Sequence, residues 1–375
     1  MGNALFCLLS ALVGLHSAGS FCGSGAEYPQ VVSQEYVTVE EDPCESMRST
    51  AILWENGVVK HLGNDGTYAI ANSVFVQDHS VYVVGTELLG ERLEAEVAAL
   101  WENGGATRLG SGTFTSGAGS VFVSGGDVYV CGSEGNNQNR TTAMLWENGI
   151  PHCLTDGKGL SYATSVFVAG SDVYVAGAVF VAVPDTSGLV RDVATLWKNG
   201  KQQRLGDNGS SANSVCVSAH DVFVAGHVRD ANMTTIATLW KNGEQQLLGK
   251  GGSFSTANSV FMSSGDVYVA GCEVIKGTSS AALWKNGDVV YLGHGEAHSV
   301  HVSHGDVYVA GEEINEHGTL VATLWKNGEP RHLGDGTTDS WAVSVYATGN
   351  NVYVAGYKEC SVAAHAATRI QNTSH

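Results

Sequence analysis

The chain of 375 residues carries 37 acidic against 19 basic side chains, a formal net charge of −18. That balance excludes the basic footprint which nucleic acid or an anionic membrane surface requires. With 48 glycines, 5 prolines and 43% hydrophobic residues, the composition suits short strands joined by tight turns and excludes a disordered or collagen-like chain.

The N-terminus opens with an apolar run from Ala4 to Leu15, too short to span a bilayer, followed by the small residues Ser17 to Ser20. Residues 1–20 are therefore expected to be a secretory signal peptide and the protein to be extracellular. Phe21 before Cys22 argues against a lipoprotein anchor. Residues 21–49 read as an N-terminal extension, 50–370 as the main body and 371–375 as a tail. An oxidising compartment permits disulfides and glycans, and the sequons at Asn139, Asn208, Asn232 and Asn372 are candidate glycan sites.

The body is a repeat. A segment of the form Ala237-Thr-Leu-Trp-Lys-Asn-Gly243 recurs with its tryptophan at Trp54, Trp101, Trp146, Trp197, Trp240, Trp284 and Trp325, in steps of 47, 45, 51, 43, 44 and 41 residues. One unit holds four short apolar runs: Ala257–Met262, Asp266–Gly271, Ala281–Trp284 and Asp288–Gly293. Val, Tyr and Phe enrichment predicts a strand for each, and Asn286-Gly287 predicts a two-residue turn in which both residues take positive φ. The runs are continuously apolar rather than alternating, as expected when both faces of a small sheet pack on neighbouring sheets. The pattern predicts an all-β fold, a β-propeller of seven four-stranded blades.

The order of the pieces predicts how the ring closes. The chain begins with third and fourth strands (Ala51 to Leu62) and ends with first and second strands (Ala342 to Gly356), so N- and C-terminal strands would complete one blade. Glu35 to Val39 and Ala366 to Ile370 also resemble strands, which leaves an eight-bladed ring as the alternative. In the seven-bladed reading, Cys44 and Cys360 share a loop of the closing blade and are expected to form a disulfide. Cys216 stands where other units have Phe and reads as a buried thiol, while Cys131 and Cys153, held apart by a third strand, are not expected to pair with each other.

The Leu-Trp-x-Asn-Gly core, the Leu-Gly run and the following small-residue strand resemble the extracellular repeats of the HAF type found in secreted microbial proteins. The resemblance covers about residues 50 to 370 and implies an architecture; it implies no activity. The strand order also looks like a WD-repeat blade, although Trp-Lys or Trp-Glu replaces Trp-Asp here.

Function is expected on the face that carries the variable loops. The longest, Ala178 to Val193, reads as a raised hairpin whose tip residues Leu189 and Val190 are candidate partner contacts. Acidic loops occur at 86–97 and at 312–321, the latter with Glu312, Glu313, Glu316 and His317. These carboxylates suggest calcium or acid–base chemistry, but without Asp-x-Asp-x-Asp-Gly spacing solvated charge is the simpler reading, and no cofactor is expected. His294, His298 and His317 were weighed as a metal set; strict strand alternation sends His298 and His301 to opposite faces and removes a local pair. Asn72, Asn213 and Asn258, beside the repeated first-strand serine, are expected to ring the channel mouth, as ligand contacts or as partners for strand backbone. No Gly-x-Ser-x-Gly elbow or His-Glu-x-x-His appears.

The reading is a secreted, monomeric, non-enzymatic module that binds protein or glycan through its variable face and does not insert into membranes. Its alternatives are a hydrolase or lyase with carboxylates at the channel mouth, and a purely structural surface repeat. The Cys44–Cys360 bridge yields the first test. Non-reducing peptide mapping should recover the two cysteines in one cross-linked peptide, and closing so long a loop should add up to about 4–5 kcal/mol. Either cysteine recovered free disproves the pairing.

Overall fold

The structure is a computed structural model that describes residues 49–63, 68–89, 95–182, 190–249 and 253–359. Cys44, Cys360, Leu189, Asn372, the expected signal peptide and the extra strands of the eight-bladed alternative lie outside these residues. The described chain is all β, and the repeat unit is an antiparallel four-stranded sheet with strands in sequence order. The first complete sheet, for example, is Ala69–Gln77, Ser80–Leu89, Ala95–Glu102 and Gly105–Arg108. Asn-Gly makes the turn into each outer strand: Asn242 and Gly243 take φ of 54° and 86°. The asparagine side chain works as well, since Asn242 Oδ1 accepts the Val222 N–H at 2.9 Å and ties the turn to the second strand.

Two sheets depart from the simple unit. One is made from both ends of the described chain, Val58–His61 and Ser49–Glu55 with Asn351–Glu359 and Ser340–Thr348. Ser49 lies opposite Glu359 and Glu55 opposite Tyr353, an antiparallel ladder that joins start to finish. The other has seven strands, because the 16-residue strand Asp288–Ser303 serves as the outer strand of one unit and runs without a break into the inner strand of the next.

Between neighbouring sheets lies the apolar core. All seven repeat tryptophans are buried, and Trp101, for instance, sits among Ala51, Leu53 and Tyr353 of one sheet and Val74 and Val83 of its own. Burying both faces of every sheet explains the continuously apolar strands.

Along the axis the bonding is polar. An innermost strand has no neighbour on its axial edge, so its N–H groups there need partners. The repeated serine supplies them to the next sheet. Ser73 Oγ accepts from Val121 N–H, Ser120 from Val166, Ser165 from Val215, Ser214 from Val260, Ser259 from Val300, Ser299 from Val345 and Ser344 from Val74, all at 3.1–3.3 Å. The last bond returns to the first sheet, so this cycle is closed.

Two residues beyond six of the seven serines stands a ring. Neighbouring pairs Phe75–Phe122, Phe122–Phe167, Phe261–His301, His301–Tyr346 and Tyr346–Phe75 have centroids 4.4–4.9 Å apart. They form a collar around the axis, interrupted only at Cys216, which is buried.

Every inner strand also carries one extra residue, a β-bulge just before its serine. The alanine preceding the bulge lies opposite a glycine in each sheet, as Ala212 does opposite Gly226. A Cβ on Gly226 would lie 2.0 Å from the Ser211 carbonyl oxygen and 3.0 Å from Trp240 Cζ3. Gly226→Ala should therefore destabilise the protein by about 2–4 kcal/mol in denaturant titration; an unchanged midpoint would refute the close approach.

His301 yields a pH test. Burial between two aromatic rings holds its imidazole down to about 4, and its Nδ1 accepts the Ala347 N–H at 3.3 Å. A folded-state value below the unfolded one means that the unfolded chain takes up this proton first. The contribution of neutral His301 is fully present above about pH 6.5 and is lost as pH falls to about 4, by up to about 3 kcal/mol. Relative to His301→Phe, the wild type should lose stability across that window in denaturant titrations; parallel curves would contradict this.

Candidate functional site

The bulge residue and the cross-strand pair above it face the axis on the variable-loop side, where the sheets differ most. The pair is Ile70 with Thr86 in one sheet, Ser211 with His227 in another, Thr256 with Cys272 in the next, then Glu296 with Glu312 and Trp341 with Tyr357. The bulge residue itself usually braces the ring. Asn72 Nδ2 donates to the Ala118 carbonyl, Asn213 to Ala257 and Asn258 to Ala297, each at 2.9–3.0 Å, and Thr164 Oγ1 donates to Ala212 at 2.9 Å. Asn72, Asn213 and Asn258 thus engage strand backbone with their amide nitrogens.

His298 is the bulge residue of the sixth inner strand, and its side chain takes another direction. Its Nε2 lies 2.5 Å from Glu312 Oε2 on the paired strand, and both residues are buried. Glu296, half-buried, stands directly opposite Glu312, and one ligand atom from each of Glu296, His298 and Glu312 lies within 4.8 Å of the others. The bulge resets the strand's alternation at this point.

The cluster is electrostatically strained. Burial, and then the Glu312 charge, raise the Glu296 carboxyl to about 7. Burial would lower the His298 imidazole, but the Glu312 and Glu296 carboxylates outweigh it and the net shift is upward. Cys272, in the preceding repeat unit, is buried; burial first and the Glu296 charge second push its thiol well above the ordinary range. A buried thiol of this kind is a poor nucleophile. To one side lie Trp341 and Tyr357, stacked at 4.7 Å and 23°. Further round, Tyr162 Oη and Ser211 Oγ are 3.2 Å apart.

The other residues singled out from sequence do not join this cluster. His294 is exposed; Glu313 pairs with His332 at 2.8 Å; His317 is exposed, 3.6 Å from Glu316. Val190 is exposed at the start of Val190–Lys198, which pairs with Asp172–Ala182 in the expected hairpin. Of the sequons, Asn139 and Asn232 are exposed, and Asn208 Oδ1 accepts from Arg204 at 3.2 Å. Cys131, Cys153, Cys216 and Cys272 are unpaired thiols.

Glu296 went unremarked as a site residue in the sequence, although a signal marked it. Leu292 and Ser299 are seven residues apart, whereas Leu248 and Ser259 are eleven apart. The connection is four residues shorter here, and Asp288–Ser303 passes through as one strand.

No protein-family profile and no curated protein sequence matches the chain. Solved structures with similar folds include an acylaminoacyl peptidase from Pyrococcus horikoshii, at 12% identity and TM-score 0.42, covering 78% of this chain and 57% of that one. The β-propeller domain of the Trilobed protease from Pyrococcus furiosus matches at 11% identity and TM-score 0.37, covering 72% of this chain and 96% of the domain. A Trypanosoma rangeli sialidase matches at 12% identity and TM-score 0.41, covering 84% and 57%. The chain thus spans less than two thirds of the length of the acylaminoacyl peptidase and of the sialidase. These similarities speak to the fold, and the protein is a β-propeller protein. The expectation of a non-enzymatic binding module finds no counterpart among them, since they are peptidases and a sialidase, and a likeness of this degree carries no activity over to this chain. What activity this chain has must be argued from its own site.

Proposed function

We propose that the protein is a hydrolase whose water-activating centre is the Glu296–His298–Glu312 cluster at the axial mouth of the variable-loop face. The observation that carries this reading is the convergence of two carboxylates and an imidazole within 4.8 Å, the imidazole standing at the bulge position where four other inner strands place a bracing amide or hydroxyl. Hydrolysis needs a group to take a proton from water and a polarised setting for the charge that develops, and these side chains supply both. His298 and Glu312 form the buried half, held rigid by the bulge and its paired strand. Glu296 is the more open member and faces an arriving substrate. The Trp341–Tyr357 stack beside it offers an apolar platform.

Two further readings accompany this one. A seven-bladed ring is supported by the return of the serine cycle from Ser344 to Val74. Grouping the repeat with HAF-type extracellular proteins is supported by the Leu-Trp-x-Asn-Gly core.

Purified protein should be assayed against aminoacyl nitroanilides, short acylated peptides and nitrophenyl glycosides. Turnover of at least one class is expected, with Glu312→Gln lowering kcat/KM by about 10²–10⁴ while circular dichroism and melting stay as in the wild type. Absence of turnover across the panel, or full activity in a folded Glu312→Gln protein, would overturn the assignment.

A further inference from the structure

We infer that Glu296, His298 and Glu312 together bind one divalent transition-metal ion, zinc being the ion their chemistry fits best. The inference rests on the hydrolytic reading for its purpose and on independent geometry for its substance.

The first support is the donor set. An imidazole nitrogen and two carboxylate oxygens from adjacent, hydrogen-bonded strands offer three ligands on a rigid frame. Zinc sites of the hydrolytic kind use three protein ligands drawn from imidazoles, carboxylates and thiolates and leave a further position for water. The imidazole disfavours calcium and magnesium, which prefer oxygen throughout. An ion about 2.1 Å from each ligand needs ligand atoms about 3–4 Å apart, so side-chain rotation alone brings the three together. The ion would enter between His298 Nε2 and Glu312 Oε2 and open their 2.5 Å contact.

The second support is the charge arrangement. Glu296 and Glu312 occupy directly opposed positions of one ladder, where like charges repel, and Glu312 is only 2% exposed. His298 can balance one carboxylate at most. A divalent cation balances both and leaves the imidazole neutral, as a ligand must be.

Comparison between sheets supplies the third. Asn72, Thr164, Asn213 and Asn258 all spend their bulge side chains on the carbonyl of the next inner strand. His298 turns instead toward the carboxylates of its own sheet.

Titration calorimetry with zinc chloride on the metal-stripped full-length protein tests this without reference to catalysis. One ion per chain is expected, with micromolar or tighter affinity. Cobalt substitution should give visible absorption bands of a low-coordinate site. Glu296→Gln, nearly isosteric, and His298→Ala should each weaken binding more than about 100-fold, whereas His317→Ala, at an exposed histidine, should leave it unchanged. Should His298→Ala fail to fold, Glu296→Gln alone decides the matter. No binding by the wild type, or equal binding by the folded Glu296→Gln protein, overturns the proposal. Turnover in a stripped protein that takes up no ion on titration would overturn the metal and keep the hydrolase. One tight ion without turnover on any substrate would do the reverse.

Discussion

The ring depends on one hydrogen bond repeated around the axis, from a valine N–H to the serine hydroxyl of the preceding sheet. Apolar packing between sheets is strong but non-directional, and it would tolerate sliding. The serine bond fixes how far one inner strand lies along the next. It also answers a need that burial creates, because an innermost strand would otherwise leave donors facing the axis without partners. The bulge before each serine turns the strand inward to make the bond, and the glycine opposite gives the bulge room. Serine, bulge and glycine are therefore one device, and the repeated tryptophan fills the space that device leaves between sheets.

The candidate site is a local modification of the same device. At the sixth inner strand the serine bond to Val345 is kept, so the ring is not weakened there. The bulge residue is free to change because its brace to the neighbouring carbonyl is supplementary. Once histidine replaces asparagine, the side chain reaches the paired strand instead. A glutamate there gives it a partner, and a second glutamate across the ladder completes the cluster. The frame is shared by every repeat, while the chemistry is confined to one.

Much of the architecture was legible in the sequence, since it is written in residues with a single strong preference. Asn-Gly names its turn, and the order of partial units names the terminal pairing, seen here as Ser49 opposite Glu359. The bulge was not legible. A strand with one extra residue looks in sequence like any other, yet it decides which side chains share a face. Counting in twos separates His298 from His301, yet it does not show that His298 reaches Glu312 on the paired strand. Glu296 was hidden differently: its partner Glu312 is sixteen residues distant, and only the ladder register brings them together. The shortened connection between Leu292 and Ser299 was visible, but a deletion attracts less notice than an insertion. The long hairpin at 178–193 drew the attention instead.

The aromatic collar below the serines changes what kind of vessel the ring is. Rings from neighbouring strands touch around most of the axis, so a hydrated solute would have to shed water to pass between them. The two ends of the axis are thus unlike, one lined by the variable cross-strand pairs and the other by rings. A molecule that entered past Trp341 and Tyr357 and could not cross the collar would leave by the way it came. Loops that differ from sheet to sheet would then set that exchange.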